Sequence, residues 1–188
     1  MGKTTNALEE VVWAYVEAKE TREKVESLRR AHQVVLAEAA PDDVAAAAEL
    51  ILYFDRLNAF LAAPPSGNVD RDYDQIVAYG ELWSTLIVSA HLRYAGIVNK
   101  WLDARSIVST DDRFRAAKVD WDKLEDNCMV HMPSFESSPM RILTQGFIGS
   151  TDDGLTTTLG REGSDFSAAI FAYVLDCESV TIWKDVPG

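Results

Sequence analysis

Residues 156–165 place glycines, an arginine, hydroxyl groups and a carboxylate directly before a predicted helix. Glycine lets a ligand come close to the backbone, and the guanidinium group of Arg161 can hold a carboxylate or a phosphate through two parallel hydrogen bonds. Residues 166–175 are largely apolar and contain neither Gly nor Pro, so they predict a helix whose first N–H groups face this loop. The stretch therefore predicts a site for anions. The alternative is an ordinary helix start that is capped by Ser164 or Asp165.

A second candidate is Glu81, which lies in a predicted apolar helix with Ser84 and Thr85 on the same face. A buried carboxylate needs a partner, because an unpaired charge away from water is costly and shifts its pKa instead. A ligand ammonium group would be a suitable partner. The alternatives are an exposed edge of the helix, or an ion pair with Arg71 or Arg93.

The first half of the chain is predicted to be helical. Residues 5–63 are rich in Ala, Leu, Glu, Lys and Arg, with one sharp interruption at Pro41. Asp42 and Asp43 suit a helix start. Residues 64–68 then end that helix, and residues 76–94 predict a second, central and buried one. The apolar face predicted for the first of these two helices consists of Val44, Ala47, Ile51, Phe54, Leu57 and Leu61.

The second half alternates between strands and helices. Strands are predicted at residues 97–104, 142–147 and 179–183, a turn at 152–154, a weak helix at 121–125, and a helix from Ser164. The order strand, helix, strand implies parallel pairing through a right-handed crossover. We therefore predict an α/β fold, a three-layer α/β/α sandwich with a mostly parallel sheet and a helical N-terminal half.

Composition excludes several classes of function. A net charge of −12 and a pI near 4.6 argue against a nucleic-acid partner, and no apolar run approaches the roughly 20 residues that span a bilayer. Cys128 and Cys177 are expected to be reduced thiols in the cytoplasm. The three histidines show no metal-ligand spacing, so no metal site is predicted. Gly-Lys-Thr at residues 2–4 lacks the upstream strand and glycine of a P-loop.

Several blocks together resemble the aspartate kinases of the amino-acid kinase superfamily. They are residues 1–6 (MGKTTN), 79–85 (YGELWST), 144–149 (TQGFIG), 156–165 (TTTLGREGSD) and 182–188 (IWKDVPG). Their order and spacing follow the family along the whole chain. The resemblance implies an amino-acid kinase fold and ATP-dependent phosphorylation of the β-carboxylate of L-aspartate, in the biosynthesis of lysine, threonine and methionine.

The resemblance also implies roles for individual residues. Arg161 and Asp165 are the implied catalytic residues: Arg161 binds the α-carboxylate of aspartate, and Asp165 orients its ammonium group. Glu81 is implied as the partner of that ammonium group. The commoner family pattern has glycine where Glu162 stands. Further implied are substrate contacts by Thr5, Phe147 and Ser164, and nucleotide contacts by Gly163, Lys184 and Asp185.

The resemblance covers an internal part of the family's kinase domain. It implies a preceding strand with a Lys-Phe-Gly-Gly-Thr phosphate loop and following ACT domains in a homo-oligomeric parent enzyme. It also implies ATP with Mg²⁺ as co-substrate and no tightly bound cofactor. Residues 1–95 are assigned to the amino-acid side and 96–188 to the part leading to the nucleotide side. We expect the isolated chain to be marginally stable and inactive alone. The alternatives are a non-catalytic aspartate-binding or assembly module, a kinase for another acid, and the kinase part of a fusion with homoserine dehydrogenase.

Overall fold

The computed structural model describes residues 3–132 and 141–183. They form two compact units, one of residues 3–103 with 141–145, the other of residues 104–132 with 146–183. Lys184 and Asp185, which the resemblance assigns to the nucleotide, lie outside the described residues. The assignment of residues 1–95 and 96–188 to the two ligands stays a prediction.

The first unit contains five helices and two paired strands among its described residues. The strands run parallel, with Asn99 opposite Arg141 and Leu102 opposite Thr144. The fifth helix is central, since it packs against the second and third helices and against the first strand. The elements are α1 (Thr4–Val16), α2 (Arg22–Ala39), α3 (Val44–Leu61), α4 (Val69–Val77), α5 (Tyr79–Tyr94), β1 (Asn99–Leu102) and β2 (Arg141–Thr144).

The buried centre of α5 is aromatic. The ring of Trp83 is fully buried and stacks on Phe54 of α3 with 4.0 Å between the ring centroids, while His32 of α2 meets the same indole edge-on at 4.9 Å. Such pairs contribute about 0.5–1.5 kcal/mol beyond the burial of their area. The prediction that α5 is a central, buried helix is confirmed, although Val88 is exposed.

The starts of α3 and α4 follow local sequence signals, and two breaks between helices do not. Asp43 caps α3 by accepting a hydrogen bond from the N–H of Ala46, as predicted. Asn68 caps α4 in the same way through the N–H of Arg71. An additional break at residues 17–21 separates α1 from α2, and Ala78 separates α4 from α5. Neither break contains a proline, and the composition therefore did not indicate them.

The predicted apolar face of α3 is wrong for its first half. Val44 is 78% exposed, and Ala47 and Ile51 are also exposed. The face that packs inward consists of Ala46, Leu50, Tyr53, Phe54 and Leu57. Residues 44–52 are apolar on two sides of the helix, and periodicity alone does not tell which side meets the rest of the unit.

The second unit contains one antiparallel strand pair, two α-helices and a short 3-10 helix at Ala104–Ser106 among its described residues. The strands and α-helices are α6 (Trp121–His131), β3 (Ile148–Ser150), β4 (Thr156–Thr158) and α7 (Gly163–Val174). The predicted turn at residues 152–154 joins β3 to β4, with Gly154 at φ +76°. Gly149 must be glycine, since a Cβ there would lie 2.6 Å from the carbonyl oxygen of Val108. The predicted helix from Ser164 is confirmed as α7, and the weak helix at 121–125 is the start of α6.

The predicted strand at residues 179–183 is wrong. All five residues are exposed and carry no strand assignment, and no described strand pairs with them. The predicted crossover from residue 142 through α7 to residue 183 is therefore not formed. The parallel pair of the structure is β1 with β2. β-branched and aromatic content favours a strand only where a neighbouring strand completes its hydrogen bonds.

Candidate functional site

The loop between β4 and α7 makes its turn with two residues in left-handed conformation. Gly160 has φ +80°, and Glu162, the residue before α7, has φ +59°. A Cβ on Gly160 would lie 2.9 Å from the carbonyl oxygen of Arg115, so the position requires glycine for space as well as for conformation. The N–H of Gly163 donates to the carbonyl of Gly160 at 3.1 Å and closes the turn. The backbone of Arg161 is thereby held just before the first turn of α7.

Phe147 is fixed against the start of α7 by its own backbone. Its N–H donates to the hydroxyl of Ser167 at 2.8 Å, and its carbonyl accepts from the N–H of Leu159 at 2.9 Å. The same Ser167 hydroxyl donates to the carbonyl of Gly163 at 2.8 Å. Phe147 itself has φ +73°, a conformation that non-glycine residues rarely adopt. The aromatic side chain is therefore placed by a backbone that α7 and its loop hold from both sides.

Two glycines allow this close approach. A Cβ on Gly163 would lie 2.7 Å from Cδ2 of Phe147, and a Cβ on Gly146 would lie 3.0 Å from Cα of Ser164. Both distances are shorter than ordinary carbon contacts. Gly163, predicted from the resemblance to contact nucleotide, is buried beneath Phe147. The close contact with the ring of Phe147 explains the glycine, and its nucleotide role stays a prediction.

The polar side chains of this loop are accessible. Arg161, Glu162 and Ser164 are exposed, and Asp165 is half-buried. Within the described residues, Arg161 makes no ion pair and the side chain of Ser164 makes no hydrogen bond. The residue at the helix cap is Glu162, and its side chain makes no capping bond. The simple alternative, in which Ser164 is a helix cap, is therefore not what the structure shows.

Glu81 is a half-buried carboxylate in the first turn of α5. Burial raises the pKa of Glu81 above its ordinary value. In the part of the chain that the structure describes, no side chain pairs with this carboxylate. Arg93, one of the two partners weighed from the sequence, binds Asp43 at 2.9 Å and the hydroxyl of Ser89 at 2.8 Å instead. The carboxylate is accordingly available to a cation.

The turn that carries Glu81 is tied to the strands of the same unit. The hydroxyl of Thr85 donates to the carbonyl of Glu81 at 2.8 Å. It accepts from the indole N–H of Trp101 in β1 at 3.0 Å and from the side-chain amide of Gln145, which follows β2, at 2.8 Å. Sequence reasoning missed Trp101 and Gln145. The one available signal was a glutamine directly after an apolar strand, where its amide would need partners.

The start of α1 packs beside the same turn. A Cβ on Gly80 would lie 3.2 Å from Cδ1 of Leu8 and 3.4 Å from Cγ2 of Thr4, so Gly80 lets α1 approach α5 closely. Thr5, the predicted substrate contact in α1, is exposed. Lys3 precedes α1 with φ +80°, and no side-chain bond caps the start of this helix.

The described residues also bear on two other classes of site, a metal centre and a membrane span. Across residues 3–132 and 141–183, no group of three or more His, Cys, Asp or Glu side chains is placed to hold a metal ion. None of the helices in those ranges is both long and apolar enough to cross a membrane. His32 is buried among aromatic rings, where burial lowers its pKa.

Comparison with known proteins gives consistent results. The family model described as "Amino acid kinase family" matches residues 2–188. The lysine-sensitive aspartokinase 3 of Escherichia coli is 42% identical over 115 residues, which is 61% of this chain and 25% of the relative. A chloroplastic bifunctional aspartokinase/homoserine dehydrogenase 1 of Arabidopsis thaliana is 37% identical over 115 residues, 61% of this chain and 12% of the relative. The chain thus spans about a quarter or less of these relatives.

Solved structures agree in fold. E. coli aspartokinase III in complex with lysine and aspartate matches with a TM-score of 0.84 and 32% identity, over 96% of this chain and 41% of that one. The same enzyme in complex with aspartate and ADP matches with a TM-score of 0.83 and 32% identity, over the same shares. The predicted fold class, an α/β sandwich that is incomplete in this chain and has a helical N-terminal half, is confirmed. The described strands form one parallel and one antiparallel pair. The chain belongs to the amino acid kinase family.

Proposed function

We propose that this chain is part of an aspartokinase, in which it binds L-aspartate for ATP-dependent phosphorylation of the β-carboxylate. The observation that carries the proposal is the carboxylate of Glu81, which is half-buried, has a raised pKa and has no partner among the described residues. A group in that state favours a cationic ligand, because an ammonium ion restores the electrostatic energy that burial removed. The similarity to aspartokinases supports aspartate as that ligand.

The loop before α7 supports recognition of the acid groups. Arg161 is exposed, and its side chain forms no ion pair within the described residues, so its planar guanidinium can donate two parallel hydrogen bonds to a carboxylate. We assign it the α-carboxylate of aspartate, and we assign Asp165 to the orientation of the substrate ammonium group. We assign contacts with aspartate to Thr5, Phe147 and Ser164, and contacts with the nucleotide to Gly163, Lys184 and Asp185.

The reaction requires little covalent help from the protein. An ionised β-carboxylate oxygen attacks the γ-phosphorus of ATP, a new O–P bond forms, and the bond from that phosphorus to the β,γ-bridging oxygen breaks to release ADP. No proton is transferred in this step. Catalysis of phosphoryl transfer rests on positioning and charge stabilisation, with Mg²⁺ bound to ATP as part of the co-substrate. The residues of this chain supply the positioning of aspartate.

The test is a thermal-unfolding titration of the 188-residue chain with L-aspartate, with L-glutamate and Mg-ATP as comparisons. A ligand that binds only the folded state raises the unfolding midpoint with its concentration. We expect a shift with aspartate that exceeds the shift with glutamate. We also expect Glu81→Gln and Arg161→Ala each to abolish it.

The matched control for the first variant is Glu49→Gln, which makes the same chemical change at an exposed position of α3. It should keep the full aspartate shift. Equal shifts with aspartate and glutamate would favour a family member for another acid. No shift with aspartate in a chain that unfolds cooperatively would contradict the proposal.

Two alternatives stand beside this proposal. Aspartate binding without phosphate transfer, after addition of Mg-ATP, would single out a non-catalytic binding or assembly module. Similarity to bifunctional aspartokinase/homoserine dehydrogenases supports a fused parent enzyme as the second alternative.

Cys128 and Cys177 are unpaired thiols, which supports the cytoplasmic location expected from the sequence. We further propose a homo-oligomeric parent enzyme acting in the biosynthesis of lysine, threonine and methionine.

A further inference from the structure

The Thr85 hydroxyl uses all of its hydrogen-bonding capacity inside the first unit. A hydroxyl has one proton to donate and two lone pairs to accept with. The proton goes to the carbonyl of Glu81 at 2.8 Å, with a longer contact to the carbonyl of Leu82 at 3.4 Å. The lone pairs accept hydrogen bonds from the indole N–H of Trp101 at 3.0 Å and from the side-chain amide of Gln145 at 2.8 Å.

These bonds join three elements at one oxygen atom. Trp101 lies in β1, Gln145 directly follows β2, and Thr85 lies one helical turn after Glu81 in α5. Gln145 is only 1% exposed, so its amide has little access to water as a replacement acceptor. The carbonyl of Glu81 also receives a second hydroxyl, that of Ser84, at 3.2 Å. Ser84 shows no bond to either strand, and it therefore provides a natural comparison.

We propose that Thr85 is a positioning residue for the ligand ammonium site, because its hydroxyl fastens the turn that carries Glu81 to the ends of β1 and β2. The inference rests on the proposed function in taking aspartate as the ligand. Thr85 acts through Glu81 and through the two strand residues that hold it. A fixed turn keeps the carboxylate in its half-buried position, where its attraction to a cation is stronger than in water.

Replacement of Thr85 by valine keeps the shape of the side chain and removes every one of these bonds. The first turn of α5 should then loosen, and water should reach the carboxylate of Glu81. We expect the measured pKa of Glu81 to fall toward the ordinary glutamate value in the ligand-free chain. We also expect aspartate to bind about tenfold more weakly, the scale on which groups that orient a ligand-binding side chain act. Thr85→Ser keeps the hydroxyl and should restore both properties.

The experiment is a carbon-13 NMR titration of the Glu81 carboxyl group without ligand, followed by calorimetric titration with L-aspartate. It uses the full 188-residue chain and the variants Thr85→Val, Thr85→Ser and Ser84→Ala. Ser84→Ala removes a hydroxyl from the same Glu81 carbonyl but leaves both strand bonds, so it should leave the pKa and the affinity unchanged. Trp101→Phe removes one of the strand bonds and should shift the pKa in the same direction as Thr85→Val, which keeps the test available if the valine variant does not fold.

The outcomes separate this inference from the proposed function. If the parent chain fails to bind aspartate, but the pKa of Glu81 falls in Thr85→Val and is kept in Thr85→Ser, the positioning role stands and the ligand is another cation. If Thr85→Val and Trp101→Phe fold and both retain the parent pKa of Glu81, the inference is overturned. An equal change in Ser84→Ala would also overturn it, because the strand bonds would then not be the cause.

Discussion

Gly163→Ala adds one methyl group at the point where α7 meets Phe147. The new Cβ would lie 2.7 Å from Cδ2 of the Phe147 ring, about 0.7 Å closer than the 3.4 Å at which ordinary contacts begin. It would also lie 3.3 Å from Cβ of Leu159. The Phe147 backbone cannot move away freely, since it is bonded to Ser167 on one side and to Leu159 on the other.

The size of the effect follows from two opposing terms. Alanine is favoured over glycine in a helix interior by about 1 kcal/mol, and less in the first turn. Overpacking a well-filled site by one methyl group costs about 1–3 kcal/mol. We therefore expect a net loss of about 1–2 kcal/mol in the free energy of unfolding, and a fall in the unfolding midpoint of about 2–4 °C for each kcal/mol.

The assay is urea unfolding followed by circular dichroism, carried out as a double-mutant cycle with Phe147→Ala. Removing the ring removes the atom that the new methyl group would strike, so Gly163→Ala should become neutral or stabilising in the Phe147→Ala background. The reasoning is refuted if Gly163→Ala costs nothing in the parent chain. It is refuted equally if the cost is the same in both backgrounds, since the ring would then not be the source of the strain.

Three further predictions each concern one or two side chains. Burial raises the pKa of Glu81, so the stability that this group contributes is greatest at low pH and declines as the pH rises from the pKa of the unfolded chain to that of the folded chain. Glu81→Gln should remove this decline and be at least as stable as the parent near neutral pH. Urea unfolding at a pH below the ordinary glutamate pKa and again near neutral pH measures both effects. Asp43→Ala should lower the free energy of unfolding by about 1 kcal/mol, because the N–H of Ala46 loses its cap, and a variant with unchanged stability would show that this cap contributes nothing. Cys177 is exposed and should react rapidly with a thiol reagent. Cys128 is buried, its pKa is raised, and it should react only when the chain unfolds. Equally fast reaction of both thiols would contradict the fold around α6.

Local signals in the sequence predicted the elements that carry the site. The start of α3 at Asp43 depends on one side chain and one N–H group three residues later. The start of α7 depends on the glycine-rich loop before it, and the central position of α5 on its apolar content. At the two helix starts the decisive interactions lie within a few residues along the chain. Such interactions can be derived from residue types and spacing.

The features that sequence reasoning missed depend on residues far apart in the chain. The Thr85 hydroxyl meets Trp101 sixteen positions away and Gln145 sixty positions away. The requirement for glycine at residue 163 arises from the ring of Phe147, not from an unusual backbone angle. The inward face of α3 was likewise decided by its neighbours, because both sides of that helix are apolar. Long-range packing of this kind leaves no periodic trace in one sequence.

The most direct test of the account is the number of protons released when L-aspartate binds, measured by calorimetry in buffers of different ionisation enthalpy. Burial raises the pKa of Glu81 in the ligand-free chain, and a substrate ammonium group would favour its ionised form. We predict proton release at mildly acidic pH, between the ordinary and the raised pKa of this carboxyl group. The release should disappear in Glu81→Gln and persist in Glu49→Gln. Aspartate binding without proton release, or with the same release in Glu81→Gln, would contradict the claim that Glu81 holds the ammonium group of the substrate.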